Sequence, residues 1–170
     1  SNIDKPALSA LWPNKKGMSV VLDLGANIEC NDKNLIDFSL MGSALFKALF
    51  QDETPKVALL NIGSEEFKGN EIIKNTFQKL NQINSPNFEF KGYIEGNQLM
   101  TGEVNVIVTD GFTGNVALKT AEGTSNFITR ELKETMKNSF LGKLSALINY
   151  KNLKKFKKRL DPRLYNGAIF

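Results

Sequence analysis

Residues 104–115, VNVIVTDGFTGN, bring an apolar run to a halt at Asp110, with Gly111, Phe112, Thr113, Gly114 and Asn115 behind it. A strand that ends in such a loop before a helix exposes backbone N–H groups at the positive end of the helix dipole. The chemistry open to it is the holding of an anion, phosphate first. Thr113 and Asn115 add side-chain donors. Lys119 follows Asn115 by four residues, one helical turn on the same face, and either adds charge toward the anion or pairs with Glu122. Asp110 would repel a phosphate it touched, so its expected task is to orient the loop amides. Gly and Asn end strands in every fold class, and one such loop is a weak signal on its own.

Two other stretches share the form. MSVVLDLGAN (Met18 to Asn27) runs into Asp23, Gly25 and Asn27, and KVALLNIGSEEFKGNE (Lys56 to Glu71) runs into Asn61, Gly63, Lys68, Gly69 and Asn70. Asn27 and Asn61 are candidates either to polarise a carbonyl or to brace neighbouring loops. Asp23, like Asp110, is expected to hold amides rather than the anion. Neither GxGxxG nor GxxxxGK[ST] occurs, so no nicotinamide or ATP site is implied, and no cofactor or metal is expected.

The elements that must position these loops follow from periodicity. Val20 to Leu22, Val57 to Leu60 and Val104 to Val108 are short apolar runs of strand length. Helical spacing covers Asp37 to Phe50 and Glu71 to Leu80, and a helix-compatible segment begins at Val116. Phe88 to Ile94 reads as a shorter edge strand. Strands alternating with helices predict an α/β fold whose three polar loops converge beyond the strand ends of a mostly parallel sheet, where ligands bind in such folds.

With 170 residues, 41% hydrophobic and 24% charged, the composition is that of a globular protein; no apolar run approaches the length of a membrane span, and the first residues lack the pattern of a signal peptide. A cytoplasmic setting is the expectation. The absence of histidine removes Ser-His-Asp, Cys-His and HExxH chemistry from within the chain. Cys30, the single cysteine, reads as a buried or semi-buried thiol. Half of the 22 basic residues lie between Arg130 and Arg163, against three acidic ones, which leaves a mildly acidic body with a basic arm.

The order DLGAN, LNIG, KGNE and TDGFTGN followed by ALKTAEG resembles the bacterial phosphate acyltransferases of the PlsX type, the fatty acid/phospholipid synthesis proteins, from IDKPAL at Ile3 to YNGA at Tyr165 to Ala168. LNIGSEEFKGNE departs from that family's pattern around Ser64 and Phe67. The resemblance implies a three-layer α/β/α, isocitrate/isopropylmalate dehydrogenase-like fold of which this partial chain is the second half, supplying one wall of a cleft. It implies transfer of a long-chain acyl group from acyl carrier protein to inorganic phosphate, with Asn115, Lys119 and Asn27 at the chemistry and the three loops around the substrate. The chain alone is then expected to be inactive. The alternatives are a phosphate acetyl- or butyryltransferase using coenzyme A, and a non-catalytic module that binds membrane or carrier protein.

Three regions are expected: an α/β core over 1–128, a basic helical arm over 129–163 and the start of a C-terminal segment over 164–170. Phe140, Leu141, Leu144, Leu147 and Ile148 form one apolar stripe flanked by Lys143, and Leu153, Phe156 and Leu160 continue an apolar spacing among lysines. The stripe packs on the body or a second subunit, as in a homodimer, or lies on anionic membrane at its inner face. An acidic carrier protein would suit the same charge. Nucleic acid is not expected, for want of an aromatic reading platform.

Overall fold

The structure, a computed structural model, describes residues 3–50, 54–160 and the backbone of 166–169. Arg163 and Tyr165, named above, lie outside the described residues. The chain divides into one compact unit of residues 1–117 with 165–170 and a second of 118–164.

The first unit is built on a six-stranded sheet. In chain order the strands are β1 (Leu8–Pro13), β2 (Met18–Leu22), β3 (Lys56–Asn61), β4 (Glu89–Glu95), β5 (Val106–Val108) and β6 (Asn166–Ile169), and in space β4-β3-β5-β2-β1-β6. β4, β3, β5 and β2 run parallel; β1 is antiparallel to both β2 and β6. The three apolar runs read from the sequence are thus neighbours, with β5 between β2 and β3. Val57, Val106 and Val20 share one row, and Leu59, Val108 and Leu22 another. These six side chains are buried in one cluster with Leu35, Phe38 and Phe46 of α1 (Asp32–Leu49) and Ile73 and Leu80 of α2 (Glu71–Gln82). Val21, Ala58 and Ile107, alternating with them, are buried too. Burial on both faces is why these strands are continuously apolar.

Several boundaries differ from the periodicity. α1 starts at Asp32, not Asp37, because Asn31 and Asn34 close a reciprocal cap in which each side chain accepts from the other's amide. β1 has no strand-like run, and pairing with β2 fixes it. The register of β4 slips against β3 between Val57 and Leu59, where three residues of β4 face two of β3. Gly92 sits at the slip with φ +85°, a backbone that L side chains rarely adopt, and Phe77 of α2 packs over it and against Phe90 and Tyr93.

The second unit comprises α3 (Gly111–Lys137) from Leu118 on, α4 (Phe140–Ile148) and α5 (Tyr150–Leu160). Ser139 caps α4 by accepting from the Gly142 amide at 2.9 Å. No helix among the described residues is long and apolar enough to cross a membrane.

α1 and α2 are tied at the surface by Asp32, in the first turn of α1, and Lys79, in the last turn of α2. The Lys79 ammonium beside it holds the Asp32 carboxyl below its usual range. A depressed carboxyl stabilises the fold above its unfolded pKa and loses that contribution as pH falls through the folded value. Asp32→Asn should therefore lower urea stability by about 0.5–1 kcal/mol at pH 7, since the pair is partly solvated, and the deficit should shrink as pH falls below the usual carboxylate range. A deficit that persists undiminished at the lower pH would mean that the ion pair is not its source.

Candidate functional site

Strands β2, β3 and β5 each hand over at their carboxyl ends to a helix, and those three helix N-termini line one cleft of about 700 Å³. Asn31 and Asn34 come from α1, Asn70 and Ile73 from α2, and Asp110 and Thr113 from the start of α3. Every one of these helices is capped from within. Asn70 accepts from the Ile73 amide at 2.9 Å. Asp110 accepts from the Thr113 amide at 2.7 Å and from the Thr113 hydroxyl at 2.8 Å.

α3 accordingly begins at Gly111 rather than Val116, and the expected glycine loop is the first helical turn. This corrects the picture of a row of loop amides open to an anion. The Gly111 amide donates to the Asn27 carbonyl at 2.8 Å, the Thr113 amide to Asp110, and the Gly114 amide to the Asp110 carbonyl at 2.9 Å. Of the amides of Gly111 to Gly114, that of Phe112 alone has no partner among the described residues. Asp110 does orient amides, as its charge required.

Asp23 does so on a larger scale. Its side chain is fully buried. Oδ1 accepts from the amides of Leu8, Gly25 and Ala26 at 2.9–3.1 Å, and Oδ2 from the amide and side chain of Asn27 at 2.7 and 2.8 Å. The second hydrogen of the Asn27 amide goes to the Pro6 carbonyl at 2.6 Å. Both donors of Asn27 are therefore taken, and it cannot also polarise a thioester: it is a positioning residue. Asn61 is in the same state, its amide donating to the carbonyls of Gly63 and Lys68 at 3.2 and 3.1 Å, with Gly69 packed against it. Between the two readings the sequence allowed, both asparagines brace loops.

Asn115 is different. Its side chain is exposed and has no partner among the described residues, and a Cβ on Gly25 would lie 3.6 Å from its own. Lys119 pairs with Glu122 at 3.0 Å within the second unit. Lys68 stands over the exposed Phe67 ring, 5.5 Å from its centroid. Lys5, not singled out from the sequence, lines the cleft, donates to the Glu29 carbonyl at 3.0 Å and makes no ion pair among the described residues. Its place in the IDKPAL segment was the available signal. Cys30 is buried at the same cleft; burial raises its pKa, so at neutral pH it is a thiol and a poor nucleophile.

Residues 1–170 match the family described as fatty acid synthesis protein. The chain belongs to that family. It is 78% identical over 169 residues to the phosphate acyltransferase of Pelagibacter ubique, covering 99% of this chain and 51% of that protein. Identity to the phosphate acyltransferase of Maricaulis maris is 44%, over 98% of this chain and 48% of that one. The chain thus spans about half the length of the curated relatives it matches. The chain shares its α/β fold with the EutD phosphotransacetylase from Staphylococcus aureus, at TM-score 0.54 and 16% identity over 74% of this chain and 44% of that one. A phosphotransacetylase from Streptococcus pyogenes aligns at TM-score 0.56 and 18% identity, over 72% and 42%.

Gly114 is where the site's framework is tightest. Its φ is not positive, so its need for glycine is not conformational; a Cβ there would stand 1.9 Å from the Asp23 carbonyl oxygen, which backbone cannot yield. Gly114→Ala should destabilise the protein by about 3 kcal/mol or more, at the upper end of overpacking costs, despite alanine's better helix propensity. Thermal unfolding monitored by circular dichroism checks this, and an unchanged midpoint would contradict the contact.

Proposed function

We propose that this chain forms one wall of a site that transfers an acyl group from a thioester to inorganic phosphate, giving an acyl phosphate. The observation that carries the reading is the 78% identity, across 99% of the chain, to a protein named phosphate acyltransferase. The cleft is compatible with it. Phosphate is itself the nucleophile: one of its oxygens attacks the thioester carbonyl carbon, a C–O bond forms as the C–S bond breaks, and the thiolate leaves. Such a reaction calls for positioning, desolvation and charge stabilisation rather than for an activated side chain, which suits a chain without histidine.

In this reading the Phe112 amide, the Asn115 side chain and the Lys5 ammonium receive the anion: the first two have no partner among the described residues, and the ammonium gives one of its three hydrogens to the Glu29 carbonyl and keeps the others. Asp23, Asn27, Asn61 and Asp110 hold the loops in place. The donor is proposed to be a long-chain acyl group on acyl carrier protein. The second reading is a coenzyme A thioester as the donor, on the fold that the phosphotransacetylases share with this chain.

Asn115→Ala in the full-length protein should lower acyl phosphate formation by about one to three orders of magnitude, the range for removing one preorganised donor from a site where charge develops. Assays with acyl carrier protein and coenzyme A thioesters side by side separate the two donors. Wild-type rates in Asn115→Ala would remove that residue from the site, and turnover by the 170-residue chain alone would remove the need for a second wall.

The exposed stripe of α4 extends the proposal to membrane. Phe140, Leu141, Leu147 and Ile148 are each at least 74% exposed, with Leu144 beside them at 44%. We propose that this stripe and its lysines, Lys143 included, rest on anionic lipid at the inner membrane face, or else bury themselves in a homodimer. Replacing Leu144 and Leu147 by glutamate should abolish sedimentation with vesicles containing phosphatidylglycerol while leaving the circular dichroism spectrum intact. Loss of dimer mass without loss of sedimentation favours the second fate.

A further inference from the structure

The cleft at the strand ends holds one buried side chain with a donor to spare. Asn34 is only 2% exposed, yet it lines the cleft. Its Oδ1 accepts from the Asn31 amide at 3.0 Å; a backbone N–H at that atom makes it the oxygen, so the NH2 group is the other end of the side chain. That group has no partner among the described residues. The unpartnered side-chain atoms sealed from solvent among those residues belong to Trp12, Tyr93 and Thr109. Asn34 is not one of them, and its NH2 group therefore opens on the cleft.

The neighbours decide what can meet it. Glu29 and Asp110 line the same cleft, so an anion placed here would be repelled where a neutral carbonyl would not. Three large apolar side chains stand along the cleft as well: Ile28 before α1, Ile72 in the first turn of α2 and Phe112 in the first turn of α3, at 71%, 40% and 63% exposure. Leu35 and Ile73 line it from buried positions. Apolar walls with few polar groups to fix orientation are the usual make-up of a site for an extended organic ligand. A chain in which alkyl stretches alternate with amides matches both parts.

We propose that Asn34 binds the arm that carries the thioester, its NH2 group donating to an amide carbonyl of the arm while Ile28, Ile72 and Phe112 cover the alkyl stretches. The inference rests on the acyl-transfer reading. It holds for either donor, because acyl carrier protein and coenzyme A both present their thioester on a pantetheine arm of amides and short alkyl links. Asn34 thus has a different partner from the Phe112 amide, Asn115 and Lys5, which receive the phosphate.

The test is the initial rate of acyl phosphate formation by the full-length protein from two donors with the same acyl group, octanoyl pantetheine and ethyl thiooctanoate, the second having no amide. KM of the wild type for the pantetheine thioester should be lower by about tenfold or more. Asn34→Asp keeps an oxygen for the Asn31 amide and removes the NH2 group. It should raise KM for the pantetheine thioester by about tenfold or more while moving KM for the ethyl thioester and for phosphate much less, with the thermal midpoint retained. A merely structural residue would shift all three together, and that result overturns the proposal. So does a wild type that uses both donors equally well, or an effect of Asn34→Asp confined to phosphate. Should the variant fail to fold, the wild-type comparison still decides, and Ile72→Ser should narrow the preference for the pantetheine thioester. Acyl phosphate formed without regard to the arm sinks this inference alone, whereas no acyl phosphate from any thioester sinks the acyl-transfer reading and this inference with it.

Discussion

The Asp23 carboxylate is the point on which the carboxyl edge of the sheet depends. A buried charge without partners would be costly by several kcal/mol, and this one is met by five donors drawn from Leu8, Gly25, Ala26 and Asn27. It fixes the start of β1 and folds the β2–α1 loop round itself. The loop so shaped presents the Asn27 carbonyl to the Gly111 amide and the Asp23 carbonyl to the face of Gly114. The first turn of α3 is thereby seated on backbone, which leaves no room for a side chain at either glycine. Asp110 then closes that turn through Thr113. Two carboxylates, neither free to bind substrate in the ordinary way, set the position of the groups that are.

This arrangement divides labour among residues of one chemical type. Asn27, Asn61, Asn31 and Asn70 have their side chains committed to loops and caps, whereas Asn115 is left with unused donors. The cleft consequently owes little to exposed helix amides. Three dipoles still point toward it, so a field favourable to anions persists even though the N–H groups that usually express it are occupied.

The strands around the cleft were legible because burial on both faces forces uninterrupted apolar runs, and Val20 to Leu22, Val57 to Leu60 and Val106 to Val108 carry that mark in the chain. β1 carries no such mark, since LSALWP takes its strand conformation from pairing with β2 and β6. The start of α1 was hidden in NDKN, where a reciprocal asparagine cap replaces the usual Ser/Thr and Glu pair. TDGFTGN looked like a loop because its glycines suggest conformational freedom. They are there for close approach instead, and that distinction depends on the Asp23 and Asn27 carbonyls, which lie more than eighty residues away in the chain. Lys5 was missed for a similar reason: it reaches the cleft through the fold, and the IDKPAL segment that holds it shows nothing of that position.

β4 is an edge strand, and the slip at Gly92 gives that edge an uneven outline on which the charged residues Glu89 and Lys91 face one another. A regular, apolar edge would invite the backbone of another copy to continue the sheet. Here a docking strand would meet a bulge, a twist and a salt bridge in succession. At high concentration this side of the protein is protected against growth by strand addition, so self-association along the β4 edge has to proceed through side-chain surfaces and not through an extended ladder of hydrogen bonds.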